Sequence, residues 1–253
     1  MGFSTTSIAE ASMMILPLIL AALTSLAPAA QAPTPLTPAT GVIGAWQLVG
    51  EDGTVATWIV TGEHFSIARY RTDPSRFIST GGGNWSAADG ELRLKYEFHT
   101  ANPDLVGTIE TIPFLVAGDE LVAAGAKWTR LDSGAPGALE GAWLMTGRKR
   151  DGEVSMRQPG VRRTMKILSG TRFQWIAYNV ETRQFFGSGG GTYTTADGKY
   201  TENIEFFSRD DSRAGASLKF EYDLPEGVWH HQGKSTAGEP MYEIWERRNN
   251  LGI

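Results

Sequence analysis

The tripeptide Gly-Ala-Trp occurs twice, at Gly44-Ala45-Trp46 and at Gly141-Ala142-Trp143, and the residues downstream of it repeat as well. Gly62-x-x-Phe65 matches Gly170-x-x-Phe173, Tyr70 matches Tyr178, and Phe77 matches Phe185. Gly81-Gly82-Gly83 matches Gly189-Gly190-Gly191, and Asp89-Gly90 matches Asp197-Gly198; all these pairs lie 108 positions apart. The two Gly-Ala-Trp copies are 97 apart, and Trp128-x-Arg130 and Trp245-x-Arg247 are 117 apart. The second copy therefore carries two insertions, one between Trp143 and Gly170 and one between Gly198 and Trp245, placed after Tyr222. Self-similarity at a fixed spacing means one structural unit made twice. The expected units are residues 43–133 and 138–250.

Within the second copy, eight runs rich in β-branched and aromatic residues are separated by turn residues: Ala142–Thr146, Val161–Ser169, Thr171–Asn179, Gln184–Thr194, Lys199–Ser208, Ala216–Asp223, Val228–Gly233 and Tyr242–Arg247. The breaks are Ser-Gly, Asn-Val-Glu-Thr, Asp-Gly and Glu-Gly signals. No helical periodicity is evident after residue 40. Eight short strands joined by tight turns predict an all-β fold of two tandem antiparallel up-and-down β-barrels, which leave no open sheet edge. Glycine triplets inside a strand suit the bends a small barrel needs.

Both copies open with Gly-x-Trp and close with an arginine on the last strand, Arg130 and Arg247. This resembles the lipocalin signature, in which the first-strand Trp packs across the barrel floor beneath an Arg of the last strand. The second copy is also similar to bacterial secreted lipocalin-like proteins through GVRRTMKILSGTRFQWIAYN, GGGTYTTADGKYTENIEFFSRD and WHHQGKS. The resemblance implies a lipocalin-like barrel and an exported location, periplasmic or secreted, and implies no particular activity. The absence of cysteine, and of the usual helix after the barrel, departs from typical lipocalins.

The N-terminus differs in character. Met13 to Ala30 is almost wholly apolar and small, Ala30-Gln31-Ala32 fits an A-x-A cleavage pattern, and a Pro/Thr stretch comes next. Residues 1–32 read as a signal peptide and 33–42 as a linker. No Lys or Arg precedes the apolar run, so a retained membrane anchor is the competing reading. Pro17 and Pro28 shorten the run below a comfortable span, and no stable membrane span is expected after cleavage. The chain has no cysteine, which excludes disulfides, thiolate metal sites and a Cys nucleophile. Its formal net charge of -5, with no long Lys/Arg run, argues against a nucleic-acid partner.

Differences between the copies mark the candidate site. Leu92, Leu94, Tyr96 and Phe98 alternate along one strand and are expected to share the barrel interior. The second copy has Tyr200, Glu202, Ile204 and Phe206 there, so Glu202 replaces Leu94, and Lys166 replaces Trp58. An inward charge is costly unless paired. A buried Glu202–Lys166 pair, a polar ligand, or a wet strand end would each resolve that cost. If Trp229 faces inward, His231 does too. Either Arg162 or Arg163 is expected to face inward and, with Lys166, to receive an anionic group, Arg163 being the one placed in the ligand set; the competing reading is a solvated edge pairing with Asp or Glu. Trp175 corresponds to Ile67 and packs the core.

The expected ligand-binding set is thus Arg163, Lys166, Trp175, Tyr200, Glu202, Trp229 and His231, in a polar cavity of the second barrel, with the first barrel a plainer scaffold. The expected partner is a small amphipathic or anionic molecule, with no cofactor and no metal, since too few ligands converge. The competing functions are an enzyme (a hydrolase, isomerase or cyclase) using Glu202 or His231 as acid–base and Lys166 to stabilise charge, and a structural or partner-binding envelope protein.

Overall fold

The computed structural model describes residues 39–253 apart from Pro136 and Thr236. The expected leader and most of the linker lie outside the described residues. The first unit has eight strands, β1 (Gly44–Val49), β2 (Thr54–Val60), β3 (His64–Thr72), β4 (Ser75–Ala88), β5 (Glu91–His99), β6 (Ile109–Ala117), β7 (Glu120–Ala123) and β8 (Ala126–Asp132). Each pairs antiparallel with its neighbour, and β1 pairs with β8 to close the barrel. The second unit runs β9 (Gly141–Arg150), β10 (Glu153–Met156), β11 (Arg162–Leu168), β12 (Arg172–Asn179), β13 (Phe185–Ala196), β14 (Lys199–Phe207), β15 (Ser217–Asp223), β16 (Trp229–Lys234) and β17 (Pro240–Arg247). Pairing of β17 with β9 closes a second eight-stranded barrel, with β10 as an extra strand against the far end of β9.

The fold is all-β and doubled, as the repeat requires. The only helices among the described residues are short 3-10 turns, and no helix there is long and apolar enough to cross a membrane. The two insertions are structural. The first is the β9–β10 hairpin. The second lengthens the β15–β16 and β16–β17 connections, where Ala117–Glu120 and Ala123–Ala126 are tight turns in the first barrel. Asp89-Gly90 and Asp197-Gly198 each place two consecutive residues at positive φ, 54° and 77°, then 50° and 71°. That is the two-residue hairpin turn whose twist matches the flanking strands.

One expectation fails on the strand that pairs with the glycine triplet. The register slips between Gly82 and Gly83 against β5, and between Gly190 and Gly191 against β14. An extra residue in one strand turns the chain, and two successive side chains then share a face. Glu97 and Phe98, and likewise Glu205 and Phe206, are thereby turned away from the interior. Phe98 packs with Ile59, Met165 and Tyr178, and Phe206 with Tyr70, between the barrels. Close approach explains the glycines. A Cβ at Gly83 would lie 2.1 Å from the Lys95 carbonyl oxygen, and one at Gly191 would lie 2.0 Å from that of Asn203.

Candidate ligand site

The two floors are built alike. The indole N–H of Trp46 donates to the Val42 carbonyl at 2.7 Å, and that of Trp143 to the Leu139 carbonyl at 2.8 Å. Arg130 stacks 3.9 Å above Trp46 and Arg247 4.3 Å above Trp143. Arg130 also donates to the carbonyls of Ile43 and Gly41, and Arg247 to that of Glu140. A guanidinium over an indole seals one end of each barrel with little exposed polar surface.

Above the floor the interiors diverge. In the second barrel Lys166 Nζ donates to Glu202 Oε1 at 2.8 Å, and both residues are 4% exposed. The ammonium stands 5.0–5.8 Å from the rings of Tyr200, Trp229, Trp245 and Phe220. Those rings give the cation a π-lined enclosure and replace water around it. The neighbouring Tyr200 hydroxyl is pushed well above its ordinary pKa by burial and by the Glu202 charge. Trp229 and His231 face inward together, as two-residue periodicity requires. His231 Nδ1 lies 3.4 Å from Glu243 Oε2, which also accepts from the Trp245 indole at 3.2 Å. Burial, aided by the Lys166 charge and opposed by Glu243 and Glu202, lowers the His231 pKa. His230 turns outward and meets the Tyr242 hydroxyl at 2.5 Å.

Five of the seven expected residues thus converge: Lys166, Tyr200, Glu202, Trp229 and His231. Trp175 lies nearer the open end, against Phe207. Arg163 does not join them. It sits three positions from Lys166, so alternation places it on the opposite face of β11, where it pairs with Glu97 of the first barrel at 2.9 Å. Glu243 joins the cluster without having been expected. It stands where the first copy has Ala126, the same kind of apolar-to-charged difference that exposed Glu202.

The first barrel, expected to be the plainer one, holds a cavity of about 380 Å³. Trp58, Trp128, Leu94, Ile67 and Ile112 supply apolar wall, and Arg69, Tyr96, His99 and Glu110 supply polar groups. Volume explains the difference between the barrels. Where the first has Ile67, His99 and Ile112, the second has Trp175, Phe207 and Phe220, each filling space toward the mouth.

The cavity is rich in donors. The Trp58 indole N–H is buried and has no hydrogen-bond partner. His99 Nδ1 accepts from the Asn102 backbone N–H at 2.9 Å, which leaves the proton of the neutral ring on Nε2. Burial lowers the His99 pKa, opposed by Glu110 and aided by Arg69. Arg69 is exposed at the mouth. Tyr96 donates to Glu110 at 2.8 Å, so that carboxylate is already engaged. Among the described residues no three His, Asp or Glu side chains converge as a metal set. No protein-family model and no curated protein matches the sequence.

Proposed function

We propose that this is an exported, lipocalin-like binding protein that takes a small amphipathic molecule into its first barrel. The observation that carries the reading is the first-barrel cavity, in which apolar walls meet an unpartnered Trp58 N–H, the His99 Nε2–H and the Arg69 guanidinium. Ligand pockets commonly combine apolar walls with a few placed polar groups in such a volume. The donors call for a ligand with an acceptor head, and the walls for an apolar body. The resemblance through Gly-x-Trp and the closing Arg supports the same family of folds.

The second barrel supports binding less well, because Lys166 and Glu202 already satisfy each other behind four rings. Two features still favour a ligand there: the Tyr200 hydroxyl, the Trp229 indole N–H and His231 Nε2 are buried without a hydrogen-bond partner, and an open groove at the rim sets Leu218, Phe220 and Met241 beside Lys149, Lys219 and Lys234, with Asp151 and Glu221 also on it. Acid–base catalysis by Glu202 and His231 would require substrate to reach groups that are 4% and 0% exposed.

The test is titration of the protein with a fluorescent fatty-acid analogue, with energy transfer from tryptophan as the signal. Leu94→Trp, which puts an indole into the first cavity, is expected to weaken binding by about tenfold or more, because it takes the volume an apolar ligand body would occupy. The double variant Lys166→Met/Glu202→Leu is expected to leave binding unchanged. The opposite pattern would move the site to the second barrel. Absence of binding in the parent protein would leave the envelope-protein reading.

A further inference from the structure

The contact between the barrels carries the signature of a twofold axis. Tyr70 and Tyr178, Glu97 and Glu205, Phe98 and Phe206, and Phe77 and Phe185 are pairs 108 positions apart. The Tyr70 hydroxyl donates to Glu205 Oε2 at 2.5 Å, and the Tyr178 hydroxyl donates to Glu97 Oε2 at 2.7 Å. Tyr70 packs on Phe206 and Tyr178 on Phe98, each with ring centroids 4.8 Å apart. Phe77 stacks on Phe185, its own counterpart, at 6.0 Å and 9° between planes. Exchange of the barrels turns each of these contacts into another member of the set, and the Phe77–Phe185 pair into itself. Residue i meets j and j meets i only across an isologous interface.

The charges break that symmetry. Glu205 is held by Arg172 of its own barrel at 2.5 Å. Glu97 takes both its cations, Arg163 and Arg248, from the second barrel. His64 occupies the first-barrel position equivalent to Arg172 and lies beside Glu97 without pairing to it. A second copy of the first barrel in place of the second would bring Glu97 a partner face without Arg163 or Arg248.

We infer that the two barrels form a self-sufficient dimer-type pair within one chain, held by this face rather than by the connection between them, and specialised so that the first barrel takes the second as partner and not another copy of itself. The charge on Glu97, whose side chain is 13% exposed, enforces the choice, because a mostly buried carboxylate left unpaired is strongly unfavourable.

The experiment uses the full chain with a protease recognition sequence inserted in the connection at residues 133–138. After complete cleavage the two fragments are expected to co-elute at micromolar concentration with unchanged strand circular dichroism. Glu97→Gln is expected to raise the dissociation constant of the cleaved pair by about thirtyfold or more. Asp52→Asn, in the exposed pair with Arg71, is expected to leave that constant unchanged. Fragments that part at micromolar concentration, folded or unfolded, would overturn self-sufficiency. A cleaved Glu97→Gln pair that holds as tightly as the parent would overturn the charge-based choice of partner.

Discussion

Lys166 and Glu202 show how a single pair of substitutions sets the character of a barrel. At the equivalent positions the first copy has Trp58 and Leu94, both buried and apolar. Two opposite charges at 2.8 Å behind four rings need each other, since removing one leaves an uncompensated charge away from water. Lys166→Met alone is expected to lower unfolding free energy by about 3–5 kcal/mol. Lys166→Met/Glu202→Leu is expected to be near neutral, because a well-packed apolar pair of similar volume often replaces a buried ion pair without loss. Urea denaturation of the two variants measures the difference. A double variant as unstable as the single one would mean that the pair holds the barrel's packing and not only its own charge. Both residues are legible from the repeat, as charges standing where the other copy is apolar. Glu243 becomes legible in the same way only when the last strands are aligned as closely as the central ones, which sets it against Ala126.

At the scale of the strand, the β-bulges decide which side chains face where. Period-two alternation holds from Leu92 to Tyr96 and from Tyr200 to Ile204, and these residues line the interiors. It fails at Phe98 and Phe206, which the bulge delivers to the opposite face. The sequence marks both sites with glycine triplets, but a triplet reads equally as a bend or as a bulge. Only pairing with the neighbouring strand tells the two apart. Gly83→Ala is expected to destabilise the protein by at least about 1–3 kcal/mol, since its Cβ would sit 2.1 Å from backbone that has nowhere to move. It is also expected to loosen the Phe98–Tyr178 contact, which hydrogen exchange at the amides of β5 would report. Unchanged stability would mean that the register slips elsewhere. Arg163 fails for a related reason. Its spacing from Lys166 is odd, so the two can share a strand but not a face.

At the scale of the molecule, the interface gathers several strongly perturbed ionisable groups, Glu97, His64, Tyr70 and Tyr178 among them. Burial works against ionisation of Glu97, but the Arg248 hydrogen bond and charge, with Tyr178 and Arg163, outweigh it and hold the carboxyl at about 2. Burial, reinforced by the Arg248 charge, pushes the His64 imidazole down to about 3. Both groups make the protein sensitive to acid. His64 folds neutral, so the unfolded chain takes up its proton first, and stability falls as pH drops below 6.5 toward 3. Glu97 folds ionised, so its contribution is complete above 4.5 and is lost as pH falls from there toward 2. His231, also lowered by burial, acts in the same sense as His64. Each group contributes up to about 1.4 kcal/mol per pH unit across its window. The melting temperature is therefore expected to decline from about pH 6.5 downward. His64→Gln should flatten the upper part of that decline and Glu97→Gln the part below 4.5. A melting temperature that rises on acidification would contradict the assigned charge states.

The floor of a Trp under an Arg is implied by the lipocalin resemblance, and the structure shows it. The sequence alone determines that the chain makes one strand-rich unit twice and that the second copy carries charges where the first is apolar. These are local or repeated facts: periodicity along a strand, turn chemistry, and comparison of one copy with the other. The tertiary structure alone decides that the first barrel keeps a cavity where the second sets Trp175, Phe207 and Phe220, and that Ile59, Phe98, Met165 and Ile167 meet across a twofold-like face. A cavity is the volume left over when side chains from many strands converge, and no single position encodes it. The face is hidden for a different reason. In β2 both sides of the strand are buried, one in a barrel and one between barrels, so its largely apolar run carries no alternation to show that a second surface exists.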